Sequence, residues 1–266
     1  MYLSDLLSGT GISCPDGQED LNITGIACDS RKVKPGDLFV CIEGYQTDGH
    51  IYANDAVFRG AVAVLAQKES KVAGVPVLMA KDSRKALSRI SAAFYGDPTR
   101  EITVFGITGT NGKTTISYMI HQVVEAAGKV CGILGTIAYR YGGKTYDAPN
   151  TTPESNELHR MFRDMADQKV NQCVMEVSSH SLSLSRADDI HFDYAVFTNL
   201  TPDHMDFHEN FDDYFTAKKK LFELTQKASA VNVDDPYGKE LYQELKDRKA
   251  KVAGYSLKNK KADFYA

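Results

Sequence analysis

The residue types best suited to chemistry lie together in one decapeptide, GITGTNGKTT, at residues 106–115. Its three glycines permit a tight turn whose backbone N–H groups point inward, and Lys113 adds a cation beside them. The hydroxyl of Thr114 can complete the oxygen shell of a Mg²⁺ ion, with Thr115 as the neighbouring alternative. Residues of these types in this order predict a loop that binds a polyphosphate.

The segments on either side of the decapeptide are those that would hold such a loop in place. An apolar run at 102–105 predicts a strand, and apolar residues at helical spacing over 116–127 predict a helix whose positive dipole end faces the loop. The strict phosphate-loop pattern would place its first glycine at the position of Ile107, one residue after Gly106. The residues alone therefore leave open an ordinary turn with Lys113 exposed to water.

Glu176 is the first candidate ligand outside the decapeptide. A predicted strand at 172–177 runs into the sequence EVSSH, which places this glutamate near the end of the strand. In open α/β sheets, ligands bind just outside the carboxyl ends of the strands, and a carboxylate beside a phosphate loop can bind the metal ion of that loop. The alternative is a solvated carboxylate that caps a loop.

A second polar segment, NLTPDHMDFH, follows a predicted strand at 192–198. It would present Asp203 and His204 at the same edge of the sheet. His208 stands four residues after His204, but a zinc-protease motif would need glutamate where this chain has Met205. We therefore predict a loop here, and a structural role for His208 stays open.

Lys218 lies on the apolar face of a predicted helix within 212–225, whereas the next two lysines point elsewhere. The other residues on that face are Tyr214, Phe215, Leu221, Phe222 and Thr225. A buried ammonium is unfavourable unless it is paired, neutralised or snorkels to water, and the spacing alone favours snorkelling. The alternative is an amine whose pKa is lowered by burial, so that it can add CO₂ and become a metal-binding carbamate.

Chain length and element order predict two α/β domains. A chain of 266 residues exceeds one average domain, and the sequence YGDP at 95–98 breaks the pattern of elements. We therefore predict a small domain at 1–100 and a second domain at 101–266. In the second domain strands and helices alternate, which predicts a mostly parallel sheet of the phosphate-loop type covered by helices.

Charge indicates which partners the protein can bind, and cysteine usage indicates its cellular compartment. With 31 basic and 35 acidic residues the net charge is −4, and no long basic run favours binding to nucleic acid or to a membrane surface. The five cysteines lack CxxC spacing, which is typical of reduced core residues. The N-terminal MYLSDLLSGTG has no basic region and no long apolar stretch, so it resembles no signal peptide. These features predict a cytoplasmic protein whose partners are small molecules.

Local patterns also predict turns and helix starts. Ser83 is a candidate cap for a helix that runs towards Phe94, and in NTTPESNE Thr152 is a candidate cap with Pro153 at the first helical position of a helix reaching about residue 169. A Gly142-Gly143 pair between tyrosines predicts a hairpin. The segments DSRKVKPGDLFV at 29–40 and GYQTDGH at 44–50 read, from the residues alone, as two surface turns.

These motifs together resemble those of the Mur ligases. The ordered set is GITGTNGKTT, NTTPES, MEVSSH, FTNLTPDHMDFH and YFTAKK, preceded by DSRKVKPGDLFV and GYQTDGH. The resemblance extends over all 266 residues and is closest to the branch that makes the UDP-N-acetylmuramoyl tripeptide. It implies an ATP-dependent peptide ligase of cell-wall synthesis. ATP would phosphorylate the free carboxylate of UDP-N-acetylmuramoyl-L-alanyl-D-glutamate, and the amine of a diamino acid, meso-diaminopimelate or L-lysine, would attack the acyl phosphate.

The resemblance also implies roles for individual residues. The nucleotide would contact Gly109, Thr110, Asn111, Gly112, Lys113, Thr114 and Thr115, with Asn199 near its base. Magnesium ions would be held by Thr114, Glu176, His204 and a carbamylated Lys218. The uridine diphosphate would lie against Ser30, Tyr45, Gln46 and Thr47 in the first domain, and the muramoyl peptide against Thr151, Thr152, Ser178 and Arg186.

One departure from the family pattern concerns length. Family members carry a third, carboxyl-terminal domain, and no part of this sequence corresponds to it, so the resemblance predicts a truncated form. Two alternatives stay open at this point. One is folylpolyglutamate synthetase, which shares the phosphate-loop domain although the first-domain motifs speak against it. The other is a nucleotide-binding module without catalysis.

Overall fold

The chain divides into two compact units. The computed structural model describes residues 1–44, 47–203 and 205–266. The first unit comprises Met1–Asp97 with Ser155–Arg160, and the second comprises Pro98–Glu154 with Met161–Ala266. The six residues Ser155–Arg160 thus belong to the first unit, although the sequence prediction placed all of 101–266 in one domain.

The first unit contains a small parallel sheet. Its strands, in spatial order, are β1 (Gly25–Ala27), β2 (Asp37–Val40), β3 (Ala63–Ala66) and β4 (Val77–Met79). Its helices are α1 (Leu3–Leu7), α2 (Ala53–Phe58) and α3 (Ser83–Phe94), with two short 3₁₀ helices at Ser30–Lys32 and Gly49–Tyr52. Every residue of β2 and β3 is buried, as expected for parallel strands covered on both faces.

The second unit is built on a nine-stranded sheet. The strands are β5 (Thr103–Thr108), β6 (Cys131–Leu134), β7 (Tyr139–Tyr141), β8 (Lys144–Tyr146), β9 (Gln172–Glu176), β10 (Phe192–Phe197), β11 (Thr225–Asn232), β12 (Val252–Ser256) and β13 (Phe264–Tyr265), in spatial order β13-β12-β11-β10-β5-β9-β6-β7-β8. The helices are α4 (Lys113–Ala126), α6 (Ser179–Ser183), α7 (Phe211–Glu223) and α8 (Pro236–Asp247), with a 3₁₀ helix at Pro98–Arg100. Helix α5 (Ser155–Asp167) is divided, because its first six residues belong to the first unit and the rest to the second. All strands from β13 to β6 pair in parallel, which confirms the predicted fold class.

The order of the central strands decides where a ligand can bind. Strand β5 lies between β9 and β10, with Ile107 opposite Glu176 on one side and Thr108 opposite Phe197 on the other. Because parallel strands end at the same edge, the three segments that follow them meet there. The phosphate loop, the EVSSH segment and the NLTPDHMDFH segment therefore begin at neighbouring positions.

The predicted hairpin is confirmed at one edge of the large sheet. Strands β7 and β8 pair antiparallel through Gly142 and Gly143, whose φ angles are 57° and 73°. Two successive residues at positive φ are the requirement of a type I′ turn, and glycine meets it without strain.

Two predicted helix starts are wrong, one by one residue and the other by two. The cap of α3 is Asp82, whose carboxylate accepts from the backbone N–H groups of Arg84 and Lys85, while Ser83 lies inside the helix. Helix α5 begins at Ser155 after Glu154, so Thr152 does not cap it and Pro153 precedes its first turn. The helix ends at Asp167, two residues before the predicted limit.

No helix of the described residues is both long enough and apolar enough to cross a membrane.

Candidate nucleotide and metal site

The decapeptide contains the last three residues of β5, a tight loop at 109–112 and the first three residues of α4. Gly109 and Gly112 adopt φ angles of 141° and 85°, a region that side chains other than glycine rarely enter. A Cβ atom on Gly109 would lie 1.9 Å from Thr198 Oγ1, so that position excludes any side chain. The Thr198 hydroxyl itself donates to Asn111 O at 2.7 Å. The predicted strand, turn and helix are thus confirmed, although the strand runs three residues further and the helix begins three residues earlier than predicted. The glycine at 109 is required by the close approach of Thr198, the residue after β10.

Two lysine ammonium groups converge on one carbonyl of this loop. Lys113 Nζ donates to Gly109 O at 3.0 Å and to Thr110 O at 2.9 Å, and Lys218 Nζ donates to Gly109 O at 3.0 Å. Lys218 is only 1% exposed, so the snorkelling that its spacing favoured is wrong. Lys113 is half-buried against the loop, so the alternative of an exposed side chain is wrong too.

The burial of these lysines changes their acid–base chemistry. Desolvation by burial, and next the neighbouring charge of Lys113, lower the pKa of Lys218 to about 7. Burial also lowers the pKa of Lys113, against the opposing effect of Glu176. Lys218 is therefore an amine that can lose its proton near neutrality, which the carbamate alternative requires.

Thr114 and Glu176 form the oxygen pair expected of a magnesium site. Thr114 Oγ1 donates to Glu176 Oε2 at 3.0 Å. Glu176 is 1% exposed, so the alternative of a solvated carboxylate is wrong. Thr115 is exposed on the first turn of α4. A hydroxyl and a carboxylate are the hard oxygen ligands that Mg²⁺ prefers, so these residues fit that ion.

Two residues that sequence reasoning missed surround the Glu176 carboxylate: Thr136 bonds it and Gly135 leaves room for it. Thr136 donates its backbone N–H to Glu176 Oε1 and its hydroxyl to Oε2, both at 3.1 Å. A Cβ atom on Gly135 would lie 2.2 Å from Glu176 Oε1, so this glycine leaves room for the carboxylate. Both residues follow β6, which pairs with β9, and no local pattern marks them.

Tyr214 also contacts the phosphate loop, which the sequence reasoning did not predict. Thr110 Oγ1 donates to Thr201 O at 3.1 Å and accepts from Thr201 N at 3.0 Å, so the Tyr214 hydroxyl, 3.1 Å away, is left as the donor to Thr110. Lys218 Nζ lies 4.3 Å from the centroid of the Tyr214 ring, within the range of a cation–π contact. The spacing of four residues on one helix face could have indicated this pair.

Asn199 is tied to the phosphate loop through both ends of its amide. Its Oδ1 accepts from Asn111 N at 2.9 Å and its Nδ2 donates to Asn111 O at 3.1 Å, while its carbonyl accepts from Thr110 N at 2.9 Å. Asp203 is exposed in the same segment, and His204 lies outside the described residues.

The part of the chain that builds this site matches a known protein family. The pattern of the Mur ligase middle domain matches residues 107–266, and the pattern described as the Mur ligase family catalytic domain matches residues 22–95. The chain belongs to the Mur ligase family. It is 46% identical to the UDP-N-acetylmuramoyl-L-alanyl-D-glutamate–2,6-diaminopimelate ligase of Alkaliphilus metalliredigens over 97% of this chain and 52% of that protein.

Two more comparisons support the membership. The ligase of the same name from Alkaliphilus oremlandii is 45% identical over 100% of this chain and 54% of its own length. A solved structure of a ligase of that name superposes with a TM-score of 0.82 at 27% identity and covers 95% of this chain and 52% of that one. The chain spans about half the length of the curated relatives it matches.

Four residues that the Mur ligase resemblance assigned to the muramoyl peptide lie near the end of β9. Thr152 Oγ1 donates to Glu176 O at 3.0 Å and accepts from Ser178 N at 3.2 Å. The hydroxyls of Thr151 and Thr136 lie 3.1 Å apart. Arg186 donates to Thr152 O at 3.2 Å and pairs with Glu154 at 2.8 Å. The Mur ligase fold thus brings these four residues together beside Glu176.

The uridine diphosphate candidates belong to the first unit. Ser30 is buried and opens the 3₁₀ helix Ser30–Lys32, which Asp29 caps through the N–H of Arg31. Thr47 is exposed, and its carbonyl accepts from Gly44 N at 2.9 Å. The predictions for Tyr45 and Gln46 fall outside the described residues.

Proposed function

We propose that this chain carries the nucleotide and substrate sites of an ATP-dependent ligase that extends UDP-N-acetylmuramoyl-L-alanyl-D-glutamate by a diamino acid. The free carboxylate of the dipeptide attacks the γ-phosphorus of ATP and releases ADP. The amine of the diamino acid then attacks the acyl carbon of the acyl phosphate, and phosphate leaves as the amide forms. The relatives' names favour 2,6-diaminopimelate over lysine as the amine.

One observation carries this proposal: the Thr114 hydroxyl lies 3.0 Å from the buried carboxylate of Glu176, and the ammonium groups of Lys113 and Lys218 both donate to Gly109 O of the phosphate loop. When bound, magnesium would neutralise phosphate oxygens during the transfer. Thr114 and Glu176 would hold one such ion. The loop N–H groups and Lys113 would bind the phosphates, so that positioning and charge neutralisation supply the catalysis. Lys113 must leave the carbonyls of Gly109 and Thr110 to do so.

The second magnesium is assigned to His204 and a carbamate on Lys218. A buried amine whose pKa is about 7 favours carbamate formation, because only the neutral amine adds CO₂. With ¹³C-labelled bicarbonate, we expect a carbamate signal in the ¹³C NMR spectrum that is lost in Lys218→Met and kept in Lys219→Met. A spectrum without the signal in the unaltered protein would remove the carbamate from the proposal.

The remaining assignments follow the family. In the second unit, Arg186 would pair with an anion of the muramoyl peptide, and Thr151, Thr152 and Ser178 would contact it. In the first unit, Ser30, Tyr45, Gln46 and Thr47 would contact the uridine diphosphate, and Asn199 would lie near the base of ATP. We place the protein in the cytoplasm because none of its five cysteines, all within the described part of the chain, forms a disulfide.

Adjacent threonines provide the sharpest test of the nucleotide site. Calorimetry with MgADP on the purified chain should detect binding, and Thr114→Val should weaken it by at least about tenfold because the variant loses the hydroxyl next to Glu176. Thr115→Val, which changes an exposed neighbour in the same way, should bind as the unaltered chain does. Equal effects of the two substitutions, or no binding by the unaltered chain, would refute the site.

A second measurement separates the ligase from a binding module. Release of ADP is followed with ATP, the UDP-muramoyl dipeptide and either diaminopimelate or lysine. Turnover with diaminopimelate supports the ligase. Binding of nucleotide and dipeptide without ADP release would assign this chain a binding role alone.

A further inference from the structure

His208 stands at the centre of a serine–histidine–aspartate arrangement that the proposed function does not use. Its Nε2 lies 2.9 Å from Ser179 Oγ and its Nδ1 lies 2.9 Å from Asp213 Oδ2. The geometry resembles the triad of serine hydrolases. However, Ser179 is 1% exposed and the His208 side chain is fully buried, so a substrate cannot reach the hydroxyl. The arrangement must therefore serve a purpose other than nucleophilic catalysis.

The two partners of His208 belong to α6, which begins directly after Ser178, and to α7, which carries Lys218. Ser179 is the first residue of α6 and directly follows Ser178, three positions after Glu176. Asp213 lies in the first turn of α7. Through its two ring nitrogens, His208 therefore joins the start of α6 to the start of α7.

The start of α7 leads directly to the phosphate loop. The ring of His208 contacts that of Tyr214, with 4.9 Å between the centroids. Tyr214 donates to Thr110 in the loop, and one helical turn later Lys218 donates to Gly109 O. A shift of the first turn of α7 would consequently move both contacts with the loop.

Other interactions stabilise the first turn of α7 from within the helix and its cap. Asn210 caps α7 by accepting from Asp213 N at 2.9 Å, and the carboxylate of Asp213 lies at the positive end of the helix dipole. These interactions stabilise the helix start but do not connect it to α6. Among the described hydrogen bonds, those at the two helix starts pass through the imidazole, whereas the bond from Lys220 Nζ to Leu182 O, at 3.4 Å, joins later turns of the two helices.

We propose that His208 is a positioning residue of the nucleotide site: it fixes the start of α7 against α6, so that Tyr214 and Lys218 reach the phosphate loop. The inference rests on the proposed function, because the affinity for MgADP is its readout. It assigns His208 no contact with substrate and no proton transfer.

The test compares His208→Gln and Ser179→Ala with His191→Gln. Glutamine can reach only one of the two partners, and Ser179→Ala removes one hydroxyl, so that at least one variant should keep the fold. His191 is half-buried just before β10, at the end of the sheet opposite to the loop, and serves as the matched control. Each protein is assayed at a temperature where it is fully folded, by calorimetry with MgADP and by amide hydrogen exchange over 106–116 and 211–223.

We expect His208→Gln and Ser179→Ala to weaken MgADP binding by about tenfold and to speed exchange in the phosphate loop, while His191→Gln changes neither. The double variant should bind no more weakly than His208→Gln alone, since both changes break one connection. Unchanged affinity in folded variants, with or without lower stability, would overturn the inference and leave the proposed function intact. Failure of the unaltered chain to bind MgADP would refute the proposed function and this inference with it.

Discussion

Replacing Lys218 by methionine should make the ligand-free protein more stable at neutral pH. The ammonium is buried in the α7 face and shares Gly109 O with Lys113. Methionine has a similar length and no charge to desolvate, so it can fill the space with little strain. A buried lysine that lowers stability is expected where its chemistry is needed for function.

The magnitude follows from the pKa of the lysine in the two states. The fall in the pKa of Lys218 from 10.5 to about 7 corresponds to about 5 kcal/mol of lost stability when the amine is charged in both states. Between about pH 7 and pH 10.5 the Lys218 amine is protonated in the unfolded chain and neutral in the folded chain. The unfolding free energy therefore rises with pH across this window and does not change with pH below it. Of the lost unfolding free energy, about 3 kcal/mol should be recovered between about pH 6 and about pH 9.

The assay is urea denaturation of three proteins across this pH range. The difference in unfolding free energy between Lys218→Met and the unaltered chain should favour the variant at low pH and shrink by about 3 kcal/mol towards about pH 9. Lys219→Met is the control, because that lysine is partly exposed and paired with Glu244. The difference in unfolding free energy between Lys219→Met and the unaltered chain should therefore stay nearly constant over the same pH range. Parallel pH profiles for Lys218→Met and the unaltered chain, or a less stable variant at neutral pH, would refute the reasoning.

Three shorter predictions concern the same loop. Glu176→Gln keeps an acceptor for Thr114 but loses the charge, so we expect MgADP affinity to fall by at least about tenfold in calorimetry, and an unchanged affinity would exclude Glu176 from the metal site. Tyr214→Phe removes the buried hydrogen bond to Thr110 and should lower the unfolding free energy by about 1 kcal/mol, whereas unchanged stability would show that bond to contribute nothing. Gly109→Ala places a side chain at a positive φ angle and against Thr198, whereas Gly143→Ala places one at a positive φ angle in open space. Gly109→Ala should therefore lower the unfolding free energy by about 1–3 kcal/mol more than Gly143→Ala does. Equal losses in denaturation experiments would contradict the predicted clash.

The parts of the site that the sequence predicted correctly depend on local patterns. Strand, glycine turn and helix follow one another within one segment, so the type and order of these elements could be predicted from that segment alone. Glu176 could be placed at the end of β9 for a similar reason, because a parallel strand and its end are visible in one short run.

The parts that it missed depend on contacts between distant residues. Helical spacing correctly put Lys218 on a buried face. The hydrogen-bond acceptor of its ammonium, however, is a carbonyl 109 residues earlier in the chain, which local spacing cannot predict. Thr136 meets Glu176 only because β6 pairs with β9, with Leu134 opposite Met175. The prediction of the α3 cap was wrong for a local reason. Asp82 and Ser83 are adjacent, both residue types cap helices well, and the sequence alone does not show which of the two does so.

The two lysines explain how the fold prepares this loop for an anion. Two ammonium groups that share the neutral carbonyl of Gly109 repel each other, and that repulsion contributes to the lowered pKa of Lys218. The loop without ligand is thus less stable than one in which a polyphosphate takes Lys113 away from the carbonyl and adds negative charge beside both amines. Part of the affinity for the anion therefore arises from relief of a cost already present in the folded chain. On this reasoning Lys218→Met, although more stable alone, should gain less stability from MgADP than the unaltered chain does.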